Sequence, residues 1–127
     1  MASELTREEL KEIEKGLRER LTELREEVRR ELLATEEEHY IDLAGRVHDV
    51  GDSSTADLLA DLNLVIKDTH VEEIQAIEDA LERIRVMSYG NCLECGEPLR
   101  PERLKAYPTA TRCYECQEKY ERTHPVS

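Results

Sequence analysis

The chain has 127 residues, 30 acidic against 18 basic, for a formal net charge of -12 at pH 7; 38% are charged, and there is no Phe or Trp. That length allows one domain, or one small module with an extended arm, and the charge density excludes a large globular core. Acidity of this degree excludes broad-surface binding to DNA or RNA, because carboxylates would face phosphates, and no apolar run is long enough to span a membrane. The balance fits instead a partner with a basic groove or channel.

Glu, Leu, Arg and Ala dominate the first two thirds, a coiled-coil composition. Thr6-Arg7-Glu8-Glu9 is a capping box, in which the Thr6 hydroxyl accepts from the Glu9 amide and the Glu9 carboxylate reaches back, so a helix is expected to begin there. Leu10, Ile13, Leu17, Leu21, Leu24, Val28 and Leu32 then recur in steps of three and four, an amphipathic stripe near coiled-coil period. Gly16 is an isolated weak point that need not break the helix. The charged opposite face reads as solvated. The stripe weakens after Leu33, crosses polar Glu36–Tyr40, and continues at Ile41, Leu43 and Ala44 to about Gly45. His39 and His48 have no partner at metal-ligand spacing and read as surface or seam residues.

Arg46–Thr55 interrupts the pattern with turn residues: Gly51 among Asp49, Asp52, Ser53 and Ser54. Ser54 or Thr55 can cap a second helix, whose stripe runs through Leu59, Leu62, Ile66, Ile74, Ile77, Leu81 and Ile84. Two arms of ~35–40 residues joined by a short loop predict an antiparallel helical hairpin, each arm roughly 50–60 Å long. Lys67–His70 and the opposing stretch near Glu37 are polar, so the hairpin is not uniformly apolar. Asp49 and Asp52 then sit in its tip. A turn needs small polar residues in any case, which is one reading of them; the other is that a slender acidic rod can carry charge into a narrow basic cavity. The seam is satisfied within one chain, so a monomer is expected.

The second helix is expected to end near Tyr89-Gly90. All four cysteines follow, as Cys92-x-x-Cys95 and Cys113-x-x-Cys116 with seventeen residues between the pairs. Four thiolates satisfy tetrahedral zinc, and this spacing is that of a structural site. Gly96 lets the first knuckle turn with φ > 0. A disulfide framework needs a secretory context, and Met1–Leu10 is polar and charged; a single redox pair does not explain a second copy at this distance. One structural Zn²⁺ held by Cys92, Cys95, Cys113 and Cys116 is the expectation, with no open position for catalysis, and reduced thiols indicate the cytoplasm. Pro98, Pro101 and Pro108 prevent a long helix in the insert, and Cys113–Arg122 can form a short last helix. The fold class is therefore mostly α: a long antiparallel coiled-coil hairpin over 1–88, tip at about 46–55, and a small four-cysteine zinc-finger module with a terminal helix over 89–127. No nucleophile stands beside a base and no phosphate-binding glycine loop is present, so intrinsic catalysis is not expected.

The run Tyr89-Gly90-Asn91-Cys92-Leu93-Glu94-Cys95-Gly96 and the run Leu104–Cys116, with Ala106-Tyr107-Pro108-Thr109-Ala110 before the second pair, resemble the DksA/TraR family of C4 zinc-finger proteins. The resemblance covers Asp49 to the end, and the first helix by architecture only. It implies binding to bacterial RNA polymerase, with the hairpin inserted into the secondary channel and promoter complexes altered during initiation. The family's Asp-x-x-Asp-x-Ala tip falls on Asp49, Asp52 and Ser54, the last a polar substitute for alanine. Basic positions that help hold ppGpp in the DksA branch fall on Tyr107, Gln117 and Ala76, none of which is cationic; the resemblance therefore implies a weak or absent response to ppGpp. The lead before the hairpin is shorter than in longer members. Two other classes compete. A Gre-like cleavage factor would lend Asp49 and Asp52 to a second Mg²⁺, and a zinc-containing adaptor would use the hairpin only to dock.

Overall fold

The computed structural model describes residues 4–49 and 68–123, in two compact units of the chain: residues 1–15 with 80–127, and residues 16–79. Five helices are described: α1 (Arg7–Leu33), α2 (Glu38–Asp49), α3 (Asp68–Arg85), α4 (Pro101–Ala106) and α5 (Tyr114–Thr123). The start of α1 is the capping box expected from the sequence. The Glu9 amide donates to Thr6 Oγ1 at 3.1 Å, and the Thr6 amide donates to Glu9 Oε1 at 3.0 Å.

The apolar stripe becomes the core of the 16–79 unit. Leu17, Leu21, Leu24, Val28 and Leu32 of α1 are buried, with Leu43, Ala44 and Val47 of α2 and Ile74 and Ile77 of α3. Steps of three and four keep these residues on one helix face, so a single side of α1 is withdrawn from water. Charged side chains border the seam. Arg20 grips Glu73 with two hydrogen bonds, Nε to Oε2 at 2.7 Å and Nη2 to Oε1 at 3.1 Å. Further along α1, Glu27 and Glu31 both meet His70, at 3.2 Å on Nε2 and 2.7 Å on Nδ1. Later positions on α1 thus meet earlier ones on α3, the antiparallel arrangement expected of a hairpin.

The Arg20–Glu73 fork is half-exposed, so it contributes about 0.5–1 kcal/mol rather than the larger value of a buried pair. The hydrogen bond from Arg20 holds the Glu73 carboxyl below the usual glutamate range. A lowered carboxyl stabilises the fold above its unfolded pKa, about 4.3, and that contribution is lost as pH falls through the folded value. Glu73→Gln should therefore destabilise the protein by about 0.5–1 kcal/mol at pH 7. Urea titrations of the two proteins should converge as pH falls below about 4.

Three expectations are corrected. The first arm is not one helix. α1 stops at Leu33, where the Thr35 hydroxyl donates to the Leu32 carbonyl at 2.8 Å and accepts from the Glu37 amide, and Glu36 takes φ 60°. A left-handed residue cannot continue a right-handed helix, and α2 restarts at Glu38. Ile41, expected in the seam, is exposed, and Val47 is buried in its stead. Because the break resets the helical phase, the α2 face is set by Leu43, Ala44 and Val47 at spacings of one and three. The second arm ends at Arg85, before Tyr89-Gly90. The Ser88 amide donates to the Arg83 carbonyl and the Met87 amide to Ile84, a Schellman closure with Met87 at φ 63° in the place glycine usually takes.

α2 runs through Asp49, so Arg46–Asp49 of the expected tip is helical. Val50–Thr55 and the stripe at Leu59, Leu62 and Ile66 lie outside the described residues. His39 is exposed, its ring 5.2 Å from that of Tyr40; the side chain of His48 lies outside the described set. No described helix is long and apolar enough to cross a membrane.

Candidate metal centre

The zinc module is built from short hydrogen-bonded pieces around the four cysteines. Asn91 and Pro98 form an antiparallel bridge, the Cys92 amide donates to the Glu97 carbonyl at 2.8 Å, and the Gly96 amide closes the first knuckle on the Cys92 carbonyl at 2.9 Å. Gly96 has φ 79°, as the knuckle requires. A Cβ there would touch nothing within 4 Å, so backbone conformation rather than space selects glycine. The second knuckle is the start of α5. The Cys113 carbonyl accepts from the Gln117 amide at 2.8 Å, and Cys116 lies in the first helical turn, one turn on from Cys113. The Leu93 amide donates to the Thr111 carbonyl at 2.8 Å and ties the two knuckles together.

This brings all four expected ligands to one point. Their Sγ atoms lie within 4.8 Å of one another, and Cys95 and Cys113 are 3.8 Å apart. Zinc–sulfur bonds of about 2.3 Å in a tetrahedron give sulfur–sulfur edges of about 3.8 Å, whereas a disulfide needs about 2.05 Å. The cysteines are free, and the donor set fits zinc. Burial works against the Cys92 thiolate, but the amides of Cys95, Cys113 and Glu94 directed at its sulfur outweigh burial and draw it to about 6. Cys116 is pushed up to about 12, chiefly by its hydrogen bond with Cys113. Four thiolates cannot coexist at this distance without a cation, and a divalent metal resolves the conflict. The metal is structural: four protein ligands close the coordination sphere.

Around the cluster, Leu99, Leu104 and Ala110 are buried, and α4 starts with Pro101 at a position that needs no amide donor. Tyr89 is buried, and its hydroxyl donates to the Pro108 carbonyl at 2.6 Å. Burial pushes the phenol up to about 12. A raised acid stabilises the fold below its unfolded pKa, about 10, and the contribution is lost as pH climbs through 12. Tyr89→Phe should cost about 1–2 kcal/mol at neutral pH by stranding the Pro108 carbonyl. It should also remove part of the stability loss that the wild type shows between pH 10 and 12, measured by denaturant titration at each pH.

Of the expected effector residues, only the backbone of Asp49 is described, as the last residue of α2; Asp52 and Ser54 lie outside the described residues. Two features were missed in the sequence. One is the His70 clasp, which Glu27 and Glu31 at i,i+4 prefigure. The other is a cleft of about 770 Å³ between α4 and α5. There the Arg103 guanidinium stands 4.5 Å from the Tyr114 ring centroid and 5.8 Å from that of Tyr107. The Arg103–Tyr107 spacing of four signals that one pair, but no local pattern brings Tyr114 to it.

Residues 88–122 match the model of the prokaryotic dksA/traR C4-type zinc finger. The chain is 39% identical over 94 residues to the RNA polymerase-binding transcription factor DksA of Caulobacter vibrioides, a match spanning 74% of this chain and 61% of that protein. It is also 36% identical over 75 residues to an uncharacterized protein of Aquifex aeolicus, spanning 58% and 49% of the two chains. Among solved structures, the transcription factor DksA2 from Pseudomonas aeruginosa is similar with a TM-score of 0.63 and 28% identity, over 94% of this chain and 88% of that one. The protein thus carries a C4 zinc finger of the DksA/TraR type, with one structural zinc. The match covers about three fifths of the Caulobacter relative's length.

Proposed function

We propose that this protein is a cytoplasmic transcription regulator that binds bacterial RNA polymerase. In this reading a monomer inserts the acidic tip of its helical hairpin, Asp49 and Asp52 with Ser54, into the secondary channel and alters initiation without binding DNA and without catalysis of its own. The observation that carries the reading is the four-cysteine module, whose sequence and geometry are those of a family with named polymerase-binding relatives. The net charge of -12 supports it, since an acidic rod suits a basic channel and not nucleic acid.

The reading includes little dependence on ppGpp. A polyphosphate needs cationic donors. Tyr107 supplies an exposed ring stacked near Arg103, Gln117 donates to Glu121 Oε1 at 3.1 Å, and Ala76 offers no polar group. The test is direct binding of the amine-labelled protein to purified bacterial core polymerase, in competition with a Gre factor, followed by a transcript-cleavage assay on stalled complexes. Saturable binding that the Gre factor displaces, without cleavage, is the expected result. Stimulated cleavage lost in Asp49→Asn would move the protein to the Gre-like class, and absence of binding would leave the adaptor reading.

A further inference from the structure

We propose that the cleft between α4 and α5 receives an arginine side chain presented by RNA polymerase; the choice of polymerase as the source rests on the function proposed above. The cleft is about 770 Å³, room for a side chain with its flanking backbone rather than for a single ion. Its walls hold two of the five tyrosines in a chain with no other aromatic residue of the Phe or Trp kind. Both are unusually open, Tyr107 at 56% and Tyr114 at 68% exposure. Flat rings left in water are characteristic of surfaces that a partner covers.

Charge selects the occupant. Glu102, Glu118 and Glu121 line the cleft against Arg100 and Arg103. Arg103 is already engaged, its guanidinium set against the two rings and its Nε donating to the Arg112 carbonyl at 3.0 Å. Gln117 donates to one oxygen of Glu121 and fixes that carboxylate. Glu118 is exposed and has no ion pair among the described residues. An incoming phosphate would meet three carboxylates, whereas a guanidinium would find carboxylate oxygens for a two-pronged pair and a tyrosine face to lie on. Arginine fits better than lysine because its planar fork serves both contacts at once.

The experiment measures the affinity of the amine-labelled protein for purified core polymerase, with wild type, Glu118→Arg, Glu118→Gln and Tyr114→Ala, each checked for one bound zinc. Glu118→Arg should weaken binding by about tenfold or more, and Glu118→Gln by about threefold, with Tyr114→Ala near the larger value. The charge-reversed variant should also show the smallest loss of affinity as salt rises. Wild type binding with Glu118→Arg unchanged would overturn the cleft proposal and leave the polymerase reading standing. Tighter binding of Glu118→Arg would assign the cleft to an anionic group and overturn it as well. Failure of the wild type to bind would sink the polymerase reading, and the cleft proposal with it.

Discussion

Cys92→Ser should abolish zinc binding and unfold the 88–122 module. Cys92 is the buried member of the ligand set, and three backbone amides are directed at its sulfur. A serine hydroxyl is a far poorer zinc ligand than thiolate, and the module has little else to hold it. Its described core comprises a few side chains around Leu99, Leu104 and Ala110, on a single β-bridge and two short helices. In modules of this size metal binding supplies the folding free energy, about 10–16 kcal/mol for a structural zinc at pH 7. Atomic emission should read one zinc per chain in the wild type and none in the variant. Amide exchange at Cys92, Leu93, Leu99 and Ala110, whose hydrogen bonds close the module, should become fast. Full zinc content in Cys92→Ser would contradict the four-ligand site.

Leu24→Ala should carry the next largest effect. Leu24 is fully buried in the 16–79 unit, where Val28, Leu32 and Ile74 are also fully buried. Removing its isobutyl group from such a place costs about 3 kcal/mol, from lost transfer free energy and the cavity that remains. Ile41→Ala is the informative control. Helical spacing puts Ile41 in the seam, but it is 43% exposed, so its loss should cost about 0.5 kcal/mol or less. Urea unfolding of the two variants checks the ranking. Equal losses would mean that the α2 face is that of the sequence stripe and not the Leu43–Ala44–Val47 face.

These two variants mark what could be read in the residues and what could not. The metal site was legible in full, because two Cys-x-x-Cys pairs seventeen residues apart are a demand of coordination chemistry and little else satisfies it. The start of α1 was legible for the same kind of reason: Thr6 and Glu9 have complementary groups at a fixed spacing. The stripe from Ile13 to Leu32 survived as core because nothing interrupts its phase. The break after Leu33 was not legible. Ala34 and Glu36 are good helix formers, and the helix ends through a Thr35 hydroxyl bond and a left-handed Glu36 that propensity does not foresee. The same holds at Met87, where backbone closure overrides a poor residue for the conformation. The cleft was hidden because it depends on where α4 and α5 place Tyr107 and Tyr114, which no local pattern states.

In the proposed function an acidic hairpin tip acts on polymerase while the zinc module holds its own fold. Single-round transcription in vitro from a ribosomal-type promoter tests it most directly, with purified bacterial RNA polymerase, wild type and Asp52→Asn, each with and without ppGpp. The account predicts that the wild type changes promoter output, that ppGpp alters this little, and that Asp52→Asn binds polymerase equally well without changing output. Equal activity of Asp52→Asn and wild type, or no effect of either, would contradict it.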